Sequence, residues 1–166
     1  MPSKSKGATA GVFRFVRNLS RDNGDPKAAS IEGLLAPAEF EQELVKERCR
    51  VDRGGPPFAL LAIDLKLDRE SEGFAQAAWV LAAVLNERTR VIDSKGWFRG
   101  RIGVILPGAN SEHLPKICAQ FETAFKRRSR TRSVPGQEAS PALEYEVFVY
   151  PNDGKHSVLH EAQASR

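Results

Sequence analysis

Asp64 closes the continuous apolar run FALLAID, with Leu65 behind it, and so places a carboxylate at the end of a buried strand. A charge there is costly unless it is solvated or paired, so Asp64 belongs at an edge or cleft. The nearest further carboxylates in sequence, Asp68, Glu70 and Glu72, fall in a polar loop. A second group lies in Trp97–Pro107, WFRGRIGVILP, where two apolar β-rich runs flank Arg99-Gly100. This pattern predicts a hairpin, and its tip carries two arginines and no carboxylate. A rigid hairpin can hold such a tip against a ligand.

The third group is Arg90 and Asp93 in RVID. An arginine side chain offers a fork of donors to an anion. The competing structural role has Arg90 ending a helix and Asp93 capping a turn. His113, His156 and His160 do not share metal-ligand spacing with carboxylates or cysteines, and no Ser/His/Asp or Cys/His nucleophilic arrangement is present. Trp79 and Trp97 are expected to pack rather than to stack on bases.

Which elements position these groups follows from periodicity. The chain has 166 residues, 41% of them hydrophobic, enough for one domain with a core and a tail. No apolar stretch reaches the length of a membrane helix and no signal peptide is visible. Cys49 and Cys118 make no disulfide framework; both fall on apolar helix faces, which suits buried thiols in a reducing cytoplasm. The net charge of +4 is modest for a dedicated nucleic-acid binder. It concentrates at Arg14–Arg21 and at Lys126–Arg132, the latter a helix end running into a polar loop over Ser129–Pro141.

Residues 1–30 lack a sustained apolar period and are expected to form a largely disordered basic tail. Within it Val12, Val16 and Leu19 share a helical face that could dock on a partner or touch an acidic membrane surface weakly, or pack as a short helix on its own domain. A helix is expected from Pro37, with Phe40, Leu44, Val45 and Cys49 as its apolar stripe, stopped by Gly54-Gly55. A buried strand follows at Phe58–Leu65, then a helix from Gly73 to about Thr89. The hairpin strands are expected at Val91–Phe98 and Arg101–Leu106. Asn110-Ser111 offers cap chemistry for a helix carrying Leu114, Ile117, Cys118, Phe121 and Phe125. LEYEVFVY alternates as a half-buried strand, PNDG turns, and Ser157–Ala164 is expected to close the chain as a short helix. The order, with a hairpin between two strand–helix pieces, predicts an α+β, ferredoxin-like (split βαβ) antiparallel sheet with helices on one face.

From Ile31 to the C-terminus these residues resemble the GGDEF, or diguanylate cyclase, family. IEGLLAPAEFEQEL is similar to the family's L-T-G-L-x-N-R-x-x-F-x-x-x-L opening, and FALLAIDLK to the strand ending in I-D-x-D. RVIDSKGWFRGRIGVILPGAN resembles R-x-x-D, the signature turn and the F-x-V-x-L-P strand; VFVYPNDGKHSVLHEA resembles the closing strand and Y-P-x-D-G turn. The resemblance implies a nucleotidyl cyclase-like domain over residues 31–166.

The departures from the pattern are as informative. FRGRI stands in place of G-G-D-E-F: Phe98 and Arg99 fall on the glycines, Gly100 on the aspartate, Arg101 on the glutamate that helps hold metal, and Ile102 on the phenylalanine. The side chains of Phe98 and Arg99 would fill the approach glycine leaves open to the nucleotide. A cation at 101 opposes metal binding. Asp64 matches the first metal carboxylate and Leu65 the backbone-carbonyl donor, but Lys66 replaces the next aspartate, so the metal site is at most vestigial and an Asp64–Arg101 salt bridge is expected instead. LKLDRESEG is too short to carry the family's nucleotide loop. Arg90 and Asp93 resemble the R-x-x-D inhibitory site that holds cyclic di-GMP, one residue closer to the turn than in the family.

The resemblance and its departures together predict a catalytically inactive, degenerate GGDEF-like domain in the cytoplasm. Its role would be signalling or protein interaction, with protein partners and cyclic di-GMP as ligands, no cofactor, and Mg²⁺ only if activity survives. A residual diguanylate cyclase making cyclic di-GMP from GTP is the alternative. A second alternative is an RNA-binding ferredoxin-like module, since KGWFRGRIGVI faintly echoes the RNA-recognition motif, although FALLAIDL offers only Phe58 as an aromatic platform.

Overall fold

A computed structural model describes residues 31–132, 141–151 and 157–159. The tail expected over residues 1–30, residues 133–140 of the loop expected from Ser129, residues 152–154 of the expected turn, and His156 and His160 lie outside them; Ser129–Arg132 are helical rather than part of that loop. The elements run α1 (Pro37–Asp52), β1 (Phe58–Asp64), α2 (Glu72–Arg88), β2 (Ser94–Phe98), β3 (Arg101–Pro107), α3 (Leu114–Arg132), β4 (Glu144–Tyr150) and β5 (Ser157–Leu159). The strands form one antiparallel sheet in the order β2-β3-β1-β4-β5. Its first four strands give the expected split βαβ arrangement.

Local chemistry sets the helix ends. Pro37 opens α1, where its missing N–H is not needed, and the Glu39 carboxylate accepts from the Ala36 amide at 3.0 Å. Ser71 caps α2 by accepting from the Phe74 amide at 3.1 Å. Asn110 caps the turn ahead of α3 rather than the helix itself, its Oδ1 accepting from the Glu112 amide. Pro115 sits in the first turn of α3, as its missing donor requires.

The helices do not share one face of the sheet. Ala59, Leu61, Ile63, Ile102, Val104, Leu106, Tyr145 and Val147 point to α2 and α3 and form the larger core. The alternate residues Phe58, Leu60, Ala62, Phe98 and Ile105 pack under α1 through Phe40 and Leu44. The expectation of helices on one face is therefore corrected. The reason lies in β1 itself, which is buried on both faces through Ile63 and would expose Phe58 and Leu60 without α1.

Phe40 is fully buried because two glycines make room for it. Gly96 and Gly103 are partners across β2 and β3. A Cβ on Gly103 would lie 2.6 Å from Phe40 Cζ, and one on Gly96 2.8 Å from Phe40 Cδ2. Leu35 meanwhile extends the sheet edge: its amide donates to the Lys95 carbonyl at 2.9 Å and its carbonyl accepts from the Trp97 amide at 3.0 Å.

Three further expectations are corrected. Ser157–Leu159 is a strand, not the start of a helix, and pairs with Val147, Glu146 and Tyr145, satisfying an edge that β4 would otherwise leave open. Val91 and Ile92 are not in β2; they stand exposed in a turn that the Asp93 side chain closes. Cys49 and Val45 are exposed, because the buried stripe of α1 is narrow, whereas Cys118 is buried and its thiol is pushed up to about 12 by desolvation, then by Glu122.

Candidate functional site

The hairpin tip forms as its sequence predicts. Arg99 and Gly100 are the whole loop between β2 and β3, at φ 51° and 69°, the two positive values of a type I′ turn. Gly100 adopts this freely; Arg99 does so against the preference of an L-residue. The Phe98 side chain turns down to the α1 face, 5.9 Å from the Phe40 ring, so it packs the core rather than filling the space above the turn. Arg99 lies over the Phe98 ring at 5.5 Å. Arg69, from the loop after β1, reaches the Arg99 carbonyl at 3.5 Å. Its guanidinium occupies the place a side chain at Gly100 would take.

Beside the tip, β1 ends in a charged cluster on the α1 side of the sheet, beyond the reach of α1 itself. Asp64 Oδ1 accepts from the Lys66 amide at 3.0 Å, a turn that puts Lys66 at φ 53°. The Lys66 ammonium then lies 3.6 Å from Asp64 Oδ2 and in contact with Glu144. Arg101 Nη1 donates to Glu146 Oε2 at 2.6 Å. The expected Asp64–Arg101 bridge does not form. Register explains this: β1 lies between β3 and β4, its Ala62 faces both Gly103 and Glu146, and these small neighbours let the Arg101 side chain cross to the far strand. Leu65, the expected backbone-carbonyl donor, is buried by its side chain.

Glu144, Glu146 and Arg69 were not picked out from sequence. The signal for the first two was present in the alternation LEYEVFVY, which puts both carboxylates on one side of β4. Nothing marked Arg69. A Mg²⁺ ion does not suit this donor set. Lys66 and Arg101 already neutralise the carboxylates, and among the described residues no three His, Cys, Asp or Glu side chains come together as metal ligands would.

Arg90 and Asp93 sit at the other end of the hairpin. The Asp93 carboxylate accepts from the Arg90 amide at 2.7 Å and from Arg90 Nη2 at 2.9 Å, and the same Nη2 donates to the Pro107 carbonyl. The Asp93 side chain is 3% exposed and that of Arg90 58%. Asp93 thus folds the turn and fixes the guanidinium at its surface. His113 lies exposed in the turn before α3. Trp97 is buried against Phe74, while Trp79 is partly exposed on α2.

No family model matches this chain, and no curated protein does. Solved structures do. The GGDEF domain of TpbB, or YfiN, from Pseudomonas aeruginosa superposes with a TM-score of 0.57 at 20% identity, over 74% of each chain. The coiled coil and GGDEF domain of DgcB from Caulobacter crescentus, solved in complex with c-di-GMP, gives 0.57 at 15%, over 89% of this chain and 81% of that one. This chain has the GGDEF-domain fold. The diguanylate cyclase SiaD from Pseudomonas aeruginosa, solved with its activator SiaC, gives 0.58 at 17%, over 84% of this chain and 55% of SiaD. Within the GGDEF fold, β1 and the β2–β3 hairpin carry Asp64 and the FRGRI turn at adjoining strand ends. The aromatic residues Phe58 and Phe98, which an RNA platform would need in solvent, are 4% and 3% exposed. No helix among the described residues is long and apolar enough to cross a membrane.

Proposed function

We propose that residues 31–166 are a catalytically inactive GGDEF-like domain, preceded by a basic tail over residues 1–30, that works in the cytoplasm by binding in a signalling or protein-interaction role. One observation carries this: the carboxylates at the end of β1 and on β4 are engaged by Lys66 and Arg101, the chain's own cations. Phosphoryl transfer on GTP depends on metal neutralising the phosphates and on exact placement of them. A guanidinium at 101 and an ammonium at 66 repel a divalent ion, and the short 65–73 link leaves no nucleotide loop. The test is incubation of the full chain with GTP and Mg²⁺ or Mn²⁺ and chromatography of the products. No cyclic di-GMP above the blank is expected; turnover-dependent accumulation would refute inactivity.

Two ligand classes suit a binding role. DgcB was solved with c-di-GMP, and here Arg90 offers a surface guanidinium held in place by Asp93. SiaD was solved with an activator protein, which makes a protein partner the other class. Calorimetry with cyclic di-GMP on wild type and Arg90→Ala separates them: binding lost in the variant supports the nucleotide, and no heat with either leaves the protein partner.

A further inference from the structure

We propose that the Arg90–Asp93 turn is a docking surface for an anionic lipid bilayer, which it enters with Val91 and Ile92. This does not depend on whether the domain is catalytic. Val91 is fully exposed and Ile92 is 60% exposed, and they are adjacent in a turn that is unusually well tied down. The Asp93 carboxylate binds the Arg90 amide and guanidinium, the Asp93 amide donates to the Arg90 carbonyl, and Arg90 also donates to Pro107. The two aliphatic side chains are therefore held in water by design of the turn rather than by looseness. An anchor that is already ordered loses little freedom on docking.

The surroundings are cationic. Arg88 closes α2 just before the turn, and Arg90 remains largely in solvent. Arg128 of α3 reaches Glu87 across the helix pair, and its hydrogen bond, then the charges of Arg128, Arg88 and Arg127, hold the Glu87 carboxyl below its ordinary range. Two of the nearby carboxylates are already engaged: Asp93 is buried on Arg90, and Glu87 is paired with Arg128. An apolar point flanked in the chain by the guanidiniums of Arg88 and Arg90 matches the boundary between anionic headgroups and acyl chains. Neither apolar residue is aromatic, so the point offers no stacking surface to bases. It protrudes, which a deformable lipid interface accommodates without a preformed groove.

The experiment is co-sedimentation of the full chain with vesicles of phosphatidylcholine, with and without phosphatidylglycerol. Wild type is expected to pellet only with the anionic vesicles, and less as salt rises. Val91→Ser with Ile92→Ser removes apolar surface but no charge, and is expected to weaken binding about tenfold or more. Arg127→Ala is expected to weaken it about fivefold. Thermal melts of each variant should match wild type, since these side chains are exposed. Equal binding by the serine variant would assign the attraction to the basic tail or to bulk charge and overturn the proposal. So would failure of wild type to bind, or equal binding to neutral vesicles.

Discussion

Arg101 and Glu146 give a double-mutant cycle that tests where the guanidinium goes. Their contact is 2.6 Å, and the side chains keep 23% and 38% of their surface in solvent. Two unit charges about 4 Å apart at an effective dielectric near 20 attract by about 4 kcal/mol. Solvent screening and the cost of ordering two long side chains remove most of that, and exposed pairs measure about 0.2–1 kcal/mol. A short contact between half-buried partners on a rigid sheet belongs at the top of that range, so the coupling between Arg101→Ala and Glu146→Ala should be about 1 kcal/mol. The parallel cycle of Arg101→Ala with Asp64→Ala should give roughly zero, within about 0.3 kcal/mol. Urea unfolding at low salt reads both, and added salt should shrink the first. Coupling to Asp64 in place of Glu146 would refute the cross-sheet pairing. It would also remove the reason for regarding the β4 carboxylates as engaged by the chain's own cations.

Gly103→Ala should cost about 1–3 kcal/mol by overpacking against Phe40, and much less in a Phe40→Leu background, which urea titration of the four proteins measures. Asp93→Ala should destabilise by about 1–3 kcal/mol, because it strands the Arg90 amide and the turn, whereas Arg90→Ala should cost less than about 1 kcal/mol; thermal melts rank the two. Native protein should take up iodoacetamide at Cys49 and not at Cys118, as peptide mass spectrometry would report. Burial raises the folded Cys118 thiol to about 12, while the unfolded thiol ionises near 9.0. Its contribution to stability is thus complete below pH 9.0 and is lost as pH rises toward 12. Tyr150 acts in the same direction, raised by its hydrogen bond to Asp52 and then by desolvation, so unfolding in urea should become easier in strong alkali.

Much of the fold was legible because its signals are local. The 3.6-residue period of α2, the apolar run of β1 and the glycine of the Arg99-Gly100 turn each report on a few neighbours. The face chosen by α1 was not read, although the unbroken burial of FALLAI already demands cover on both sides. Pairing of Arg101 was misread because adjacency favoured Asp64, while the outcome depended on small residues at 62 and 103 letting a long side chain pass. The Asp93 side chain closes the turn after α2, and that closure leaves Val91 and Ile92 outside the strand assigned to them.

The short bridge at Leu35 ties the start of the domain to the strand that ends in the arginine turn. Its two backbone hydrogen bonds grip β2 on either side of Gly96, next to Trp97. The margin of the sheet at β2 is therefore not bare along its whole length: Leu35 occupies backbone groups that would otherwise be open to another strand.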